Sequence, residues 1–258
     1  MNSFFNNKIS GLVITYNEEN NIAEVIQNLD FVDEIIVVDS YSTDSTIDIA
    51  SSFSQVRLIK NHFENFTLQR NLAISLASHP WILFLDADER ISDKLKTEIL
   101  KTVQCNQNKV AFYFYRKFMF NKHHLRFSGW QTDKNIRLFQ KGKANYISEK
   151  LVHEKLVVQG DVGKLNGKLI HYSYNNYQSY KAKMIHYGKL KAKELFLKGK
   201  KRTFLHQIFK PVYKFFHSYI IRFGILDGKK GLIICYLNAL SIYVRYPELK
   251  RLYQNKTH

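Results

Sequence analysis

A regular alternation of short apolar runs and amphipathic stretches at the start of the chain constrains the fold more than any other feature. The apolar runs, at residues 10–15, 34–38, 56–59 and 81–85, have the length of strands. Between them, apolar residues recur at the three- and four-residue spacing of helices that bury one face. Because strands alternate with helices, we predict a parallel sheet with crossover connections, which is the α/β class.

The fourth apolar run ends abruptly at two carboxylates, Asp86 and Asp88. Ligands of open α/β sheets bind just beyond the carboxyl ends of the strands, so both acids are predicted to lie where chemistry takes place. Two acids this close repel each other, and a bound Mg²⁺ or Mn²⁺ would allow both to stay ionised. The alternative for an isolated pair of this kind is a solvated acidic turn.

Polar residues also follow the first two predicted strands, at Thr15 to Glu18 and at Asp39 with Ser40. The carboxyl ends of parallel strands meet at one edge of a sheet, so these residues are predicted to lie near Asp86. The sequence contains neither a G-x-G-x-x-G after the first strand nor a G-x-x-x-x-G-K-[ST] motif. Acidic side chains and a metal ion would therefore have to bind any nucleotide.

Charge is distributed unevenly along the chain, which has a net charge of +17. Residues 171–258 contain 18 Lys or Arg and 3 acids, whereas residues 1–170 contain 21 basic and 19 acidic residues. We therefore predict a domain at 1–170 followed by a basic, aromatic helical region at 171–258. Such regions bind anionic membranes or nucleic acid, and the absence of a recognisable nucleic-acid module favours a membrane and no nucleic acid.

The basic region has the pattern of long helices. Residues 204–226 combine aromatic and basic side chains at helical spacing, which is typical of a helix lying in a membrane interface. The apolar stretch at 232–244 is shorter than the ~20 residues of a spanning helix. The alternative is an ordinary helical subdomain with solvated lysines. The first residues do not resemble a signal peptide, and the two distant cysteines suit a reducing, cytoplasmic setting.

Three motifs, in order and spacing, resemble family 2 glycosyltransferases with the GT-A nucleotide-diphospho-sugar fold. They are Ile14-Thr15-Tyr16-Asn17-Glu18-Glu19, Val37-Val38-Asp39-Ser40 and Leu85-Asp86-Ala87-Asp88-Glu89. The basic aromatic tail and three further motifs resemble, more narrowly, the lipopolysaccharide inner-core β-1,4-glucosyltransferases. Those motifs are Gln69-Arg70-Asn71, Arg137-Leu138-Phe139 and Val152-His153-Glu154.

The resemblance implies a mostly parallel sheet flanked by helices, with a basic C-terminal helical extension. It implies an inverting transfer of a hexose, with glucose as the expected sugar, in cell-envelope glycan or lipopolysaccharide core synthesis. The expected donor is a nucleotide-diphospho-sugar, of which UDP-sugar is the leading class, and the expected acceptor is a lipid-linked saccharide. Such an enzyme would be cytoplasmic and peripheral on the inner face of the cytoplasmic membrane, bound to its anionic surface.

The resemblance also assigns roles to residues of the site. A divalent Mg²⁺ or Mn²⁺ would be held by Asp86, Asp88 and His153, and would neutralise the diphosphate leaving group. The nucleotide-sugar would be held by Thr15, Tyr16, Asn17, Glu18, Asp39, Ser40, Arg70, Asp86 and Arg137.

An inverting transfer also needs a general base that takes a proton from the acceptor hydroxyl. Glu154 is the first candidate because it lies beyond the metal motif, in the part of the chain that builds acceptor sites in this fold. Asp133 and Glu89 are the alternatives.

Two other functions remain open on the sequence alone. A nucleotidyltransferase that makes an activated sugar shares the sheet and the acidic metal site, but it normally begins with a glycine-rich basic loop that is absent here. A non-catalytic adaptor for membrane or nucleic acid would use the basic region and give the acids at the sheet edge no role.

Overall fold

The structure, a computed structural model, describes residues 7–105, 108–120, 123–148, 154–174, 177–200 and 203–255. Contacts divide the chain into two compact units, the first Met1–Arg116 with Lys134–His171 and the second Lys117–Asp133 with Tyr172–His258. The segment Lys117–Asp133 is thus grouped with the C-terminal region. The functional boundary expected after residue 170 stays a prediction.

The first unit opens with four parallel strands in the order β3-β2-β1-β4. Three helices connect them, so the predicted alternation is confirmed. The elements are β1 (Ile9–Thr15), α1 (Ile22–Asn28), β2 (Glu34–Asp39), α2 (Thr46–Ser51), β3 (Val56–Lys60), α3 (Phe66–Leu76) and β4 (Trp81–Asp86).

Beyond β4 the chain adds mostly antiparallel pairings, so the sheet is mixed. The elements that follow are β5 (Glu89–Ile91), α4 (Asp93–Gln104), β6 (Lys109–Phe120), β7 (His123–Leu125), β8 (Lys134–Gln140), β9 (Ala144–Ser148), β10 (Glu154–Val158), β11 (Asp161–Lys164) and β12 (Leu169–Tyr174). Strand β8 is antiparallel to β4 and β6, and β12 is antiparallel to β5. Strands β9 and β10 form a separate two-stranded sheet. The predicted α/β class is confirmed.

Apolar clusters cover both faces of the central strands. Val13 and Leu85 belong to one cluster, Leu12 and Phe84 to the other, and all four side chains are fully buried. Successive residues of a strand point to opposite faces, which explains why these strands are continuous apolar runs in the sequence. A slip of β4 that carried Asp86 into these apolar layers would bury a charge, which favours the register that keeps Asp86 at the end of the strand.

The second unit contains three long helices in its described part. These are α5 (Tyr177–Leu197), α6 (Phe204–Phe216) and α7 (Gly228–Gln254), with a π-helical turn at His217–Ile221 and a 3-10 turn at Gly224–Asp227. The α-helix predicted over residues 204–226 therefore ends at Phe216. The chain continues as the π-helical turn to Ile221, and the left-handed backbone of Phe223 (φ 58°) then prevents any further right-handed helix. None of the helices in the described residues is long and apolar enough to cross a bilayer.

Candidate active site

Three strand ends bring Thr15, Asp39 and Asp86 to one edge of the sheet. Thr15 pairs with Asp39 in the β1–β2 register, and Ile14 pairs with Asp86 in the β1–β4 register. Thr15 and Asp39 are buried. Within the described chain, the buried hydroxyl of Thr15 has no hydrogen-bond partner. A buried polar atom of this kind needs a partner, which a bound ligand could supply.

The loops after β1 and β2 hold each other in place. Asn17 has a left-handed backbone (φ 54°), a conformation that Asn tolerates. Its backbone N–H donates to Ser42 Oγ at 2.8 Å, and its Oδ1 accepts from the backbone N–H of Thr43 at 2.8 Å. The backbone N–H of Glu18 donates to Thr46 Oγ1 at 2.8 Å. The residues predicted to bind the nucleotide, Asn17 and Glu18, therefore lie in a loop that is hydrogen-bonded to the loop after β2.

At this edge of the sheet, the hydrogen-bonded carboxylate of Asp39 is accompanied by the exposed ring of Tyr16. The carboxylate of Asp39 accepts from the backbone N–H of Ser42 at 2.8 Å and from its hydroxyl. Ser40 Oγ accepts from Gln69 Nε2 at 3.1 Å. Tyr16 is 57% exposed. A buried carboxylate close to an open aromatic ring is suited to a nucleoside, which needs hydrogen bonds and a stacking surface.

Asp86 lies between two arginines that the sequence singled out. Its Oδ1 is 2.8 Å from Arg70 Nη2, and its Oδ2 accepts from Arg137 Nη2. Burial acts to raise the pKa of Asp86, but Arg137 and Arg70 outweigh it and hold that pKa well below its usual range. Asp86 is therefore ionised at physiological pH, with both carboxylate oxygens facing guanidinium groups.

Glu89 extends this charge network into the core. It is fully buried, and its Oε1 lies 2.8 Å from Arg137 Nη2 and 3.4 Å from Arg116 Nη1. Its Oε2 accepts from the backbone N–H of Asp86 at 3.1 Å. Burial acts to lower the pKa of Arg137, but Asp86 and Glu89 raise it well above its ordinary value. Glu89 is thus engaged on both oxygens, which argues against the alternative that it is the general base.

Arg70 is held in a defined orientation by strand β9. Its Nη1 donates to the Tyr146 hydroxyl at 3.2 Å, and its guanidinium lies over the rings of Phe84 and Tyr146, at 5.3 Å and 5.1 Å from their centroids. Asn71 exchanges two hydrogen bonds of 2.9 Å with the backbone of Tyr146. The motif Gln69-Arg70-Asn71 therefore joins α3 to β9 and fixes the arginine that contacts Asp86.

Asp88 has a partner that the sequence analysis did not single out. Its Oδ2 lies 3.2 Å from Nε2 of His171, and both side chains are partly exposed. His171 lies on β12, where it pairs with Glu89 of β5. No local sequence signal marks His171, since it lies in a strand far from the acidic motif.

The side chains of Asp88 and His171 are better placed than that of Asp86 to bind a metal ion. A carboxylate oxygen and an imidazole nitrogen at one place could hold Mg²⁺ or Mn²⁺, with the remaining ligands supplied by donor phosphates and water. Both oxygens of Asp86 already accept from arginines. In the part of the chain that the structure describes, no group of three or more His, Cys, Asp or Glu could hold a metal by itself. His153, the other predicted ligand, lies outside the described residues.

The two residues predicted as general bases on the acceptor side, Glu154 and Asp133, belong to different units. Glu154 is the first residue of β10 and pairs with Ser148 of β9. Asp133 belongs to the second unit and follows the 3-10 turn Trp130–Thr132. Their roles as bases stay predictions.

Comparisons with known proteins agree with the resemblance in the motifs. Residues 10–156 match the sequence model of glycosyl transferase family 2. The lipopolysaccharide core biosynthesis glycosyltransferase LpsC of Rhizobium meliloti is 27% identical, over 92% of this chain and 93% of its own length. An uncharacterized glycosyltransferase of Rickettsia felis is 30% identical, over 94% of this chain and 89% of its own length. Among solved structures, S. aureus TarS is 17% identical with a TM-score of 0.47, over 96% of this chain and 92% of that chain.

Proposed function

The chain belongs to glycosyl transferase family 2 and has a GT-A-like α/β fold, and on this basis we propose that it is an inverting, metal-dependent hexosyltransferase. Its donor is a nucleotide-diphospho-sugar of the UDP class, and its acceptor is a lipid-linked saccharide of the cell envelope. The observation that carries the proposal is the convergence of Thr15, Asp39, Asp86 and Asp88 at one sheet edge. Because the chain belongs to a glycosyltransferase family, we favour this function over the two alternatives, a nucleotidyltransferase and a non-catalytic adaptor.

In this proposal the strand ends bind the nucleotide. The unsatisfied hydroxyl of Thr15 and the fixed carboxylate of Asp39 hydrogen-bond to the base and ribose, and the exposed ring of Tyr16 covers the base. Asp86 is oriented by Arg70 and Arg137, so that a remaining lone pair can accept from a ribose hydroxyl.

Asp88 and His171 are the residues that we propose to lie beside the leaving diphosphate. When bound there, Mg²⁺ or Mn²⁺ supplies charge stabilisation for the departing phosphates. Asp88 and His171 would hold it on the protein side, and the low pKa of Asp86 keeps that neighbouring carboxylate ionised. Arg137 and Arg70 prevent the two acids of the motif from repelling each other, because they neutralise Asp86.

Glu154 is proposed as the base that takes the acceptor proton opposite the leaving diphosphate. A panel of UDP-, GDP- and dTDP-sugars, scored by thermal shift with and without Mn²⁺, identifies the donor. With that donor, Glu154→Gln is expected to keep the full shift and to lower transfer by about 10²- to 10⁴-fold, because only proton removal is lost. Asp133→Asn tests the alternative base, and a loss of transfer confined to that variant would move the role to Asp133. A chain that no nucleotide-sugar stabilises would contradict the donor proposal.

The lipid-linked acceptor and the membrane location draw support from two sources. The relative from R. meliloti is a glycosyltransferase of lipopolysaccharide core biosynthesis, and α6 carries an exposed apolar face. The face consists of side chains at the spacing of one helical stripe, each between 45% and 67% exposed: Leu205, Ile208, Phe209, Val212, Tyr213 and Phe216.

An exposed apolar stripe of this size marks an interaction surface. Its proposed occupant is the interface of an anionic bilayer, because residues 171–258 contain 18 basic residues and 3 acids. Amphipathic helices with a basic polar side bind such interfaces by apolar burial together with electrostatic attraction. We therefore propose that the enzyme lies on the cytoplasmic face of the membrane, with the apolar face of α6 in the interface.

Replacing two aromatics of the α6 face tests this surface. Phe209→Ser with Tyr213→Ser is expected to weaken binding to anionic vesicles by at least about tenfold, since each buried aromatic contributes roughly 1.5–3 kcal/mol. Vesicle co-sedimentation measures the effect, and a melting curve checks the fold. The matched control is Phe63→Ser with Phe66→Ser, two exposed aromatics of the first unit, which should sediment like the wild type. Equal losses in both pairs would argue against α6 as the membrane surface.

A further inference from the structure

The second unit contains an open cavity of about 470 Å³ with a basic lining. The lining brings together one segment around β7 and another at the start of α7. Its ionisable side chains are His123, His124, Arg126, Asp227, Lys229 and Lys230. The cavity plays no part in the nucleotide or metal chemistry proposed above.

Asp227, the one acidic side chain of this lining, accepts hydrogen bonds from the backbone. Asp227 Oδ1 accepts from the backbone N–H of Arg126 at 3.0 Å, and Oδ2 accepts from that of Phe127 at 2.9 Å. The three basic side chains Arg126, Lys229 and Lys230 therefore give the lining a formal excess of two positive charges over Asp227, with both histidines counted as neutral. A cavity with this balance attracts an anion.

Residues that adjoin the two lining segments in the sequence, although they do not line the cavity themselves, connect those segments to each other. The backbone N–H of Ser128 donates to the carbonyl of Arg222 at 3.0 Å, and the side chains of Ser128 and Cys235 lie 3.6 Å apart. A Cβ on Gly224 would lie 2.6 Å from Ser128 Oγ, so only glycine fits there. Ser128 and Phe223 both have left-handed backbones, with φ of 63° and 58°. Strained residues of this kind persist where the surrounding structure holds them, and they cluster at ligand sites.

The chain between α6 and α7 gives the cavity an apolar flank. Phe223, Ile225 and Leu226 are 57%, 50% and 65% exposed, and Leu226 itself lines the cavity. A free anion would make no use of exposed apolar side chains beside its site. An anion attached to acyl chains would bury them while its charge lies among the bases.

We propose that this cavity binds the phosphate headgroup of an anionic membrane lipid, with Phe223, Ile225 and Leu226 inserted between neighbouring acyl chains. The inference rests on the proposed membrane association and gives it a defined headgroup site. Lys229, Lys230 and Arg126 contact the phosphate, because ammonium and guanidinium groups form charge-assisted hydrogen bonds to phosphate oxygens.

The test compares two lysine pairs in the full chain. Lys229→Ala with Lys230→Ala removes two charges from the cavity, and Lys193→Ala with Lys200→Ala removes two from exposed sites of the same unit that do not line it. Binding is measured on vesicles of phosphatidylcholine alone and of phosphatidylcholine mixed with phosphatidylglycerol. We expect the cavity pair to lose about tenfold or more in affinity for the anionic vesicles and the control pair less than about threefold.

Equal losses in the two pairs would overturn the headgroup site and leave only diffuse attraction between a basic unit and a charged surface. If the cavity pair does not fold, Arg126→Gln probes the opposite wall with the same expectation. Wild-type protein that binds no vesicle would overturn the headgroup site and the membrane association together, while leaving donor binding and transfer unaffected.

Inorganic phosphate separates a lipid headgroup from a soluble anion. Imidazole NMR signals of His123 and His124 are expected to shift with phosphatidylglycerol vesicles and to change little with inorganic phosphate alone. Shifts with inorganic phosphate, combined with equal vesicle binding by the two lysine pairs, would assign the cavity to a soluble anion and overturn the lipid proposal.

Discussion

Asp88→Asn is expected to lower sugar transfer by about 10²- to 10³-fold while leaving the fold intact, because charge stabilisation of a leaving group is among the largest catalytic terms. Asparagine keeps the size of the side chain but removes the charge that would hold a divalent cation opposite the diphosphate. Asp88 is partly exposed and lies 3.2 Å from His171, so its replacement disturbs little of the core.

The measurement is transfer rate against Mn²⁺ concentration, together with the thermal shift caused by donor. The variant should need more Mn²⁺ and should lose most of the metal-dependent part of the shift. His171→Gln is expected to move the same two readouts in the same direction, since it removes the imidazole nitrogen beside Asp88 that could bind the metal. Asp93→Asn, on an exposed acid at the start of α4, is the matched control. Wild-type activity in Asp88→Asn would refute the assignment of the metal to this motif.

Glu89→Gln is expected to destabilise the first unit by about 3 kcal/mol, because removing one partner of a buried ion network leaves charge uncompensated. Glu89 is fully buried between Arg137 and Arg116, and its other oxygen accepts from the backbone of Asp86. After the change, Arg137 would keep Asp86 as a charged partner, whereas the contact of Arg116 with a carboxylate at residue 89 would be lost. For a unit of this size the loss corresponds to a fall in melting temperature of roughly 6–12 °C.

Glu24→Gln is the matched control for this prediction. Glu24 also pairs with an arginine, Arg90, at 3.2 Å, but its side chain is 68% exposed. Exposed pairs contribute at most about 1 kcal/mol, so the control should melt within a few degrees of the wild type. Equal melting temperatures for the two variants would mean that the buried network contributes no more than a surface pair does.

Much of the fold could be predicted because its signals are local. Apolar runs of strand length, separated by helical periodicity, gave the four parallel strands and placed Asp39 and Asp86 at one edge. The antiparallel strands of the second half were harder to predict, because the short strand Glu89–Ile91 lies directly after the acidic motif and its pairing with β12 depends on residues far along the chain. The α6 stripe could also be predicted, but only the structure shows that its apolar side chains are exposed.

The sequence by itself determined the family, the α/β class and the types of residue at the sheet edge. Only the tertiary structure decided which charges meet: Asp86 with Arg70 and Arg137, Glu89 with Arg116 and Arg137, and Asp88 with His171. Hydrophobic periodicity is a property of neighbouring residues, whereas these partners come from separate strands and helices. Their pairing is set by the register of a sheet buried on both faces, which places distant side chains together and leaves no local trace in the sequence.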